Sequence, residues 1–209
     1  MTTIYITRHG ETEWNRQCRF QGSLNSELTD KGLLAAELLS ERIEDIDLDV
    51  IIASPLKRAF HTAEIVKGNK KIEIVKNEGL KEINLGDFEG MKYSEITGKN
   101  NEILMKIEDD PFVNSYPNGE NLLEFYKRVE KTFKDIIETY RGKRILIVAH
   151  GGTIKCIESY FRKKKIDKDW MAGVVKNCSL TCIRVDESND IEEVFYNDTE
   201  HLEGRLSYI

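Results

Sequence analysis

Several features common in other protein classes are scarce or missing in this sequence. Only three prolines occur in 209 residues, which leaves little material for a stiff linker between domains. No apolar run approaches the roughly 20 residues that a membrane-spanning helix requires. No basic segment with a long apolar stretch, the pattern of a secretory signal, precedes the strand-like run 3–7. We therefore expect a single domain over residues 1–209, located in the cytoplasm and without membrane contact.

Cysteines and basic residues are also distributed in ways that disfavour common sites. Cys18, Cys156, Cys178 and Cys182 form no C-x-x-C pair, so reduced thiols are expected rather than a structural zinc site. The formal net charge is -6, which argues against a nucleic-acid binder, because such proteins normally present a basic face. An anionic substrate would have to be attracted by a local cluster of arginine and lysine side chains.

Short apolar segments alternate with longer helical patterns, an order that predicts an α/β fold with a mostly parallel sheet. Strands are predicted at 3–7, 50–53, 72–75, 145–149, 179–185 and 192–196. Thr29 is predicted to cap one helix, Ser54 to cap a second that begins at Pro55, and Asn121 with Glu124 to form a capping box before a third. A fourth helix is predicted at 153–161.

The pattern loosens at residues 86–119, which we call the cap. This segment contains four glycines and two prolines, with acidic and amide residues between them. Such a composition predicts an irregular insertion rather than another strand–helix unit. We expect the cap to lie over the sheet, and its internal fold is not evident from the sequence.

Three polar clusters follow directly after three predicted strands. Arg8 and His9 follow the first strand, Arg58 lies shortly after the second, and His150 follows the strand at 145–149. In a parallel α/β sheet the carboxyl ends of the strands share one edge, where ligands bind. Arginine forks match the oxygens of phosphate or carboxylate, and glycines such as Gly151 let the backbone approach a ligand closely. The sequence therefore predicts an oxyanion site at this edge, with phosphate as its natural occupant and the N-terminus of the fourth helix facing it.

A metal site and a P-loop are two different readings of the same residues. Two histidines could bind a metal ion, but the neighbouring arginines would repel a divalent cation. No Asp or Glu stands directly beside either histidine to complete a ligand set. No G-x-x-x-x-G-K-[ST] motif occurs. We expect no metal and no other cofactor.

Five segments, in order along nearly the whole chain, carry a family resemblance. The segment Arg8-His9-Gly10-Glu11-Thr12 with Asn15 resembles the signature of the histidine phosphatase superfamily, which includes cofactor-dependent phosphoglycerate mutase. The further matching segments are Leu28-Thr29-Asp30-Lys31-Gly32, Ser54-Pro55-Leu56-Lys57-Arg58-Ala59 with Thr62-Ala63, Glu82 within residues 80–90, and Ala149-His150-Gly151-Gly152. The resemblance implies a three-layer α/β/α sandwich with a small cap and a covalent phosphohistidine intermediate.

The resemblance also implies a role for each matching side chain. His9 would be the nucleophile, with its other ring nitrogen donating to a backbone carbonyl. Arg8, Arg58 and His150 would bind the phosphoryl oxygens, His150 best as a cation, and Asn15 would donate to the phosphate.

Glu82 would be the acid and base of the reaction, although Glu11, Glu78 and Glu89 also lie near the motifs. Gln21, Gly22, Ser23 and Gly151 are expected to contact the phosphate or substrate. Ser54 could orient His150 instead of only capping a helix. His201 matches a tail found in phosphatase members, without a role that the sequence reveals.

The substrate is expected to be a small phosphate ester. The mutases of the superfamily that this sequence resembles carry a longer insert with extra basic residues, whereas the cap here is short and carries the acidic run Glu108-Asp109-Asp110. The resemblance therefore favours the phosphatase branch, with similarity to bacterial broad-specificity phosphatases, over a phosphoglycerate mutase. An α-ribazole-5'-phosphate phosphatase stays open as a narrower function, and a non-catalytic phosphate-binding module as a function of a different class. The sequence leaves the oligomeric state open.

Overall fold

A computed structural model describes residues 1–170 and 173–206. Its central sheet has six strands: β1 (Thr2–Arg8), β2 (Val50–Ala53), β3 (Glu73–Lys76), β4 (Arg144–Ala149), β5 (Leu180–Val185) and β6 (Ile191–Asp198). The order across the sheet is β3-β2-β4-β1-β5-β6. The first four are mutually parallel, β5 is antiparallel to β1, and β6 is antiparallel to β5. The predicted mostly parallel sheet is confirmed, with strand ends shifted by one or two residues.

Helices cover both faces of the sheet. They are α1 (Glu13–Arg16), α2 (Asp30–Arg42), α3 (Lys57–Lys67), α4 (Gly98–Asp109), α5 (Leu122–Thr139) and α6 (Gly151–Phe161). Helices α2 and α3 pack against one face, and α5 and α6 against the other, which confirms the three-layer arrangement. Two of the predicted helix caps are also confirmed, because Thr29 accepts from the N–H of Gly32 and Asn121 forms a capping box with Glu124.

The alternation of side chains along the strands divides the core into two parts. Ile145 and Ile147 of β4 join the core beneath α5 and α6, whereas Leu146 and Val148 join the core beneath α2 and α3. Successive residues of a strand point to opposite faces, so a strand covered on both sides must be apolar throughout. This requirement explains the continuous apolar run that makes β4 recognisable in the sequence.

The prediction that Ser54 caps a helix is wrong. Helix α3 begins at Lys57, and Leu56 precedes it without any side-chain cap. Ser54 is fully buried at the end of β2, and its hydroxyl lies 2.8 Å from Nε2 of His150. A buried imidazole nitrogen needs a partner, and the hydroxyl of Ser54 supplies it. Helix α6 also starts earlier than predicted, directly after His150.

The cap contains more regular structure than its composition suggests. Two 3₁₀ turns, Gly86–Phe88 and Tyr93–Glu95, precede α4. The cap is joined to the segment after α1, since Gly90 donates to the carbonyl of Phe20 and Phe20 donates to that of Met91. These bonds place the cap at the carboxyl edge of the sheet. In the described parts of the chain, no helix is long and apolar enough to cross a membrane.

Candidate active site

His9 lies at the end of β1, next to the end of β4. Its backbone N–H donates to the carbonyl of Ala149 at 3.0 Å, and the residue is only 2% exposed. Its Nδ1 lies 2.7 Å from the carbonyl oxygen of Gly10. A carbonyl can only accept, so Nδ1 carries the proton and Nε2 keeps its lone pair. The predicted contact that fixes this tautomer is confirmed.

Two arginines and a second histidine surround His9. Arg8 precedes it in β1, Arg58 comes from the first turn of α3, and His150 follows β4, whose Ala149 is paired with Arg8. The rings of His9 and His150 have centroids 5.3 Å apart. The parallel register of β1 and β4 therefore brings together residues separated by more than a hundred positions, as the sequence predicts.

Part of each arginine's donor capacity is used by the protein itself. Arg8 donates through Nη1 to the carbonyl of Val175, and Arg58 donates to the carbonyls of Gly22 and Leu24. Within residues 1–170 and 173–206, Nε of Arg8, Nε of Arg58 and Nδ1 of His150 are buried and have no partner. Buried polar atoms are normally hydrogen-bonded. These three nitrogens therefore mark a place where a ligand with acceptor oxygens fits.

Burial and positive charge control the protonation of both histidines. Burial, followed by Arg58 and Arg8, lowers the pKa of His9 well below its usual range. Burial, followed by Arg58, His9 and Arg8, does the same to the pKa of His150. Burial also lowers the pKa of Arg58 to about 10, which leaves it cationic at neutral pH. His150 is thus neutral in the free protein, and the cation expected from the sequence is the form that a bound phosphate would favour.

Glu82 lines the same cavity as His9 and both arginines. Its carboxylate accepts from the N–H of Gly152 at 2.9 Å and from the N–H of Ile83 at 3.1 Å. A Cβ at position 152 would lie 2.6 Å from the carboxylate, so a side chain there would displace Glu82 from this position. The sequence predicts that the N-terminus of α6 faces the phosphate, but its Gly152 N–H is occupied by Glu82.

Three further carboxylates near the motifs are used elsewhere. Glu11 accepts from Thr29, Glu78 pairs with Lys81 on the surface, and Glu89 binds backbone N–H groups. None of the three lines the cavity that contains His9, as far as the described residues define it. Glu82 is therefore the carboxylate that the fold brings to His9.

Most, but not all, of the predicted binding residues line this cavity. Asn15, Gln21 and Gly22 do. The side-chain oxygens of Asn15 and Gln21 contact Thr12, so their amide nitrogens remain for a ligand.

Ser23 and Gly151 do not belong to the cavity lining in the described structure. The N–H of Ser23 donates to Glu89, which holds this residue away from the cavity. A Cβ at Gly151 would lie 3.6 Å from the guanidinium carbon of Arg8, so Gly151 packs against that side chain.

Aromatic side chains form much of the outer cavity. The cavity has a volume of about 540 Å³ and includes Trp14, Phe20, Tyr93, Tyr116 and Trp170. The ring of Tyr93 stacks on that of Phe20 with centroids 3.8 Å apart. These residues come from α1, two separate loops and the cap, so no local pattern in the sequence connects them. Clusters of three or more metal-ligating side chains do not occur in the described ranges.

The segment before β5 holds the backbone of Arg8 and His9. Asn177 donates to the carbonyl of His9 at 2.7 Å, and the N–H of Cys178 donates to the carbonyl of Arg8 at 2.9 Å. Nε2 of His201 lies 3.0 Å from the carbonyl of Cys178. His201 thus supports this segment and lies outside the cavity lining.

Known proteins are similar to this chain in sequence and in architecture. The chain is 36% identical to an uncharacterized phosphatase, PhoE, of Bacillus subtilis over 98% of both chains. It is 28% identical to phosphoserine phosphatase 1 of Hydrogenobacter thermophilus, covering 91% of this chain and 90% of that one. The solved structure of Bacillus stearothermophilus YhfR matches with a TM-score of 0.90 and 34% identity, covering 97% of this chain and 100% of the other. The profile of the histidine phosphatase superfamily (branch 1) matches residues 4–199, and the chain belongs to this family.

Proposed function

We propose that this protein is a metal-independent phosphomonoester hydrolase that forms a covalent phosphohistidine on His9. One observation carries the proposal. The Nδ1 proton of His9 is bound to the Gly10 carbonyl, which leaves the Nε2 lone pair available beside the unpartnered nitrogens of Arg8, Arg58 and His150. This arrangement suits a nucleophile facing a phosphoryl group whose oxygens are bound by cations and N–H donors.

In the first step, Nε2 of His9 attacks phosphorus and the bond from phosphorus to the ester oxygen breaks. Glu82, protonated, gives its proton to the departing oxygen, and the alcohol leaves. Arg8 and Arg58 stabilise the charge on the three equatorial oxygens. If the hydroxyl of Ser54 donates to Nε2 of His150, the neutral ring presents an Nδ1–H to one of these oxygens.

In the second step, Glu82 acts as a base. It takes a proton from a water molecule, whose oxygen attacks the phosphorus and displaces Nε2 of His9. Inorganic phosphate is formed, and the enzyme returns to its starting state with Glu82 protonated. The same carboxyl group serves both steps because the leaving oxygen and the attacking water occupy the same side of the phosphoryl group.

The donor set around the phosphoryl position makes a divalent cation unnecessary. The guanidinium groups of Arg8 and Arg58 supply the positive charge that a metal ion provides in other phosphoryl-transfer enzymes. The same groups would repel a cation at that place.

The lining of the cavity favours a phosphatase over a mutase. A bisphosphate would need a second set of cations, and beyond Arg8 and Arg58 the described cavity lining contains only one basic residue, Arg19. The alcohol part of the substrate meets aromatic and apolar walls instead. This lining supports a broad-specificity hydrolase of small phosphate esters. α-Ribazole phosphate and phosphoserine are among the substrates to compare. A non-catalytic phosphate-binding module is disfavoured because it would not need Glu82 beside His9.

Hydrolysis of p-nitrophenyl phosphate in EDTA tests the proposal. We expect wild-type activity that EDTA does not reduce and that His9→Ala abolishes. His61→Ala, at an exposed position of α3, is the matched control and should retain full activity. With 3-phosphoglycerate and catalytic bisphosphoglycerate, free phosphate should appear. Accumulation of 2-phosphoglycerate would support the mutase, and turnover by His9→Ala would refute the role of His9.

A further inference from the structure

Arg58 is positioned by a loop remote from its own helix. The side chain is 2% exposed, and it donates through Nη1 to the carbonyl of Leu24 at 2.6 Å and through Nη2 to the carbonyl of Gly22 at 2.7 Å. Both carbonyls belong to residues 21–25, which we call the 21–25 loop. Because both Nη atoms of Arg58 donate to this loop, the position of the loop determines the direction of the Nε–H, which has no partner in the described structure.

The 21–25 loop is in turn held by one carboxylate from the cap. Oε1 of Glu89 accepts from the N–H of Ser23 at 2.7 Å and from the N–H of Leu85 at 3.1 Å, and Oε2 accepts from the N–H of Leu24 at 3.1 Å. The approach is close, since a Cβ at Gly22 would lie 2.1 Å from Oε1. Three backbone N–H groups therefore donate to one carboxylate, which in its ionised form has only acceptor atoms.

We propose that Glu89 is a positioning residue for phosphate recognition, acting through the 21–25 loop on Arg58. This inference rests on the proposed function, because it assigns Arg58 to the phosphoryl group. Glu89 does not line the cavity in the described structure, so it affects a ligand through the loop and not by contact. Its negative charge also favours the cationic form of Arg58.

Glu89→Gln tests the contact with little change in shape. Whichever way the amide turns, its NH₂ group faces at least one backbone N–H, so a hydrogen bond is replaced by a repulsion. We expect the affinity for inorganic phosphate, measured by calorimetry, to fall about tenfold or more, which corresponds to about 1.4 kcal/mol. KM should rise for every phosphate ester tested. Glu95→Gln, which removes a charge paired with Lys92 on the same segment, should bind phosphate like the wild type.

A double variant distinguishes action through Arg58 from an independent effect. If Glu89 acts through Arg58, Glu89→Gln should weaken phosphate binding much less in an Arg58→Lys background than in the wild type. Equal losses in both backgrounds would overturn the proposal. Glu89→Ala removes the carboxylate without placing an NH₂ group beside the loop and should reproduce the loss, which covers the case that Glu89→Gln does not fold.

The calorimetric measurement also separates this proposal from the proposed function. If wild-type protein binds no phosphate, the oxyanion site itself is refuted, and the role of Glu89 with it. If wild type binds phosphate and Glu89→Gln binds it equally well, only the role of Glu89 is refuted. If Glu89→Gln loses affinity while its thermal unfolding midpoint stays near that of wild type, the positioning role is supported.

Discussion

At the scale of single residues, His9 combines a nucleophilic nitrogen with an environment that keeps it unprotonated. Burial and the two neighbouring guanidinium groups disfavour the imidazolium form and lower its pKa well below the usual range. The Gly10 carbonyl holds the remaining proton on Nδ1. In the proposed mechanism, Nε2 of His9 can therefore attack at neutral pH without a separate base.

The buried histidines predict how stability depends on pH. His9, His150 and, less strongly, His201 have a pKa below the ordinary value of about 6.5 in the folded protein. Below that pH the histidines bind protons in the unfolded chain but not in the native state, so the free energy of unfolding falls. We expect urea denaturation to show lower stability at about pH 5.5 than at about pH 7.5.

Variants assign this pH dependence to particular side chains. His150→Gln should have a smaller loss of stability between the two pH values than the wild type has. His61→Gln, at an exposed position, should keep the wild-type pH dependence. An unchanged pH dependence in His150→Gln would show that this ring is not held neutral by burial.

Sequence patterns identify the residues at the candidate phosphoryl site better than those that position them. Arg8, His9, Arg58 and His150 lie at or shortly after the ends of strands that are recognisable from their apolar residues, so the topology places them together. Glu89 has no comparable signal. It acts on backbone N–H groups of a loop more than 60 residues away in the sequence, and any loop has such groups.

At the scale of elements, the segment before β5 supports the end of β1, where His9 lies. Val175, Asn177 and Cys178 each make one hydrogen bond to Arg8 or His9. Asn197 binds the same segment from β6, donating to the carbonyl of Val174 and accepting from the N–H of Lys176. The end of β6 and the segment before β5 thus contribute to the geometry of the candidate site, although their side chains are outside the described cavity lining.

Asn177→Ala tests this support. Loss of its bond to the His9 carbonyl should lower kcat about tenfold, because small displacements of a nucleophile reduce the rate of reaction. Stability should fall by about 1 kcal/mol, the usual contribution of one hydrogen bond. The neighbouring variant Lys176→Ala, at an exposed position, serves as the control in the same steady-state assay. If kcat of Asn177→Ala equals that of wild type, the segment does not position His9.

Strands are easier to predict than the cap, for a physical reason. A strand covered by helices on both faces must be apolar throughout, whereas α4 has only Ile107 fully buried and is otherwise polar or partly exposed. Its helical pattern is therefore weak, and the sequence does not predict α4. The prediction that Ser54 is a helix N-cap residue also fails for a physical reason. A serine before a proline is typical of a helix N-terminus, but the side chain of Ser54 contacts His150, which is 96 residues away and has no local signal in the sequence.

At the scale of the whole molecule, the site lies where the sheet changes from parallel to antiparallel strand pairing. β1 lies between the parallel strand β4 and the antiparallel strand β5, and His9 stands at its carboxyl end. The cap contributes aromatic walls and Glu89 at the same edge. In the proposed function, phosphoryl chemistry takes place at the strand ends, and the cap and the loop after α1 select the alcohol part of the substrate.

Trapping the phosphorylated enzyme tests the role of His9 most directly. In Glu82→Gln, p-nitrophenyl phosphate can still phosphorylate His9, because p-nitrophenolate leaves readily without a proton. The second step then lacks its base, so the intermediate accumulates. Acid-free quenching followed by mass spectrometry should find one phosphate per chain on His9, labile to acid, and none in Glu82→Gln/His9→Ala. Release of p-nitrophenol without a phosphorylated His9, or with phosphate on another residue, would contradict a mechanism through phosphohistidine at His9.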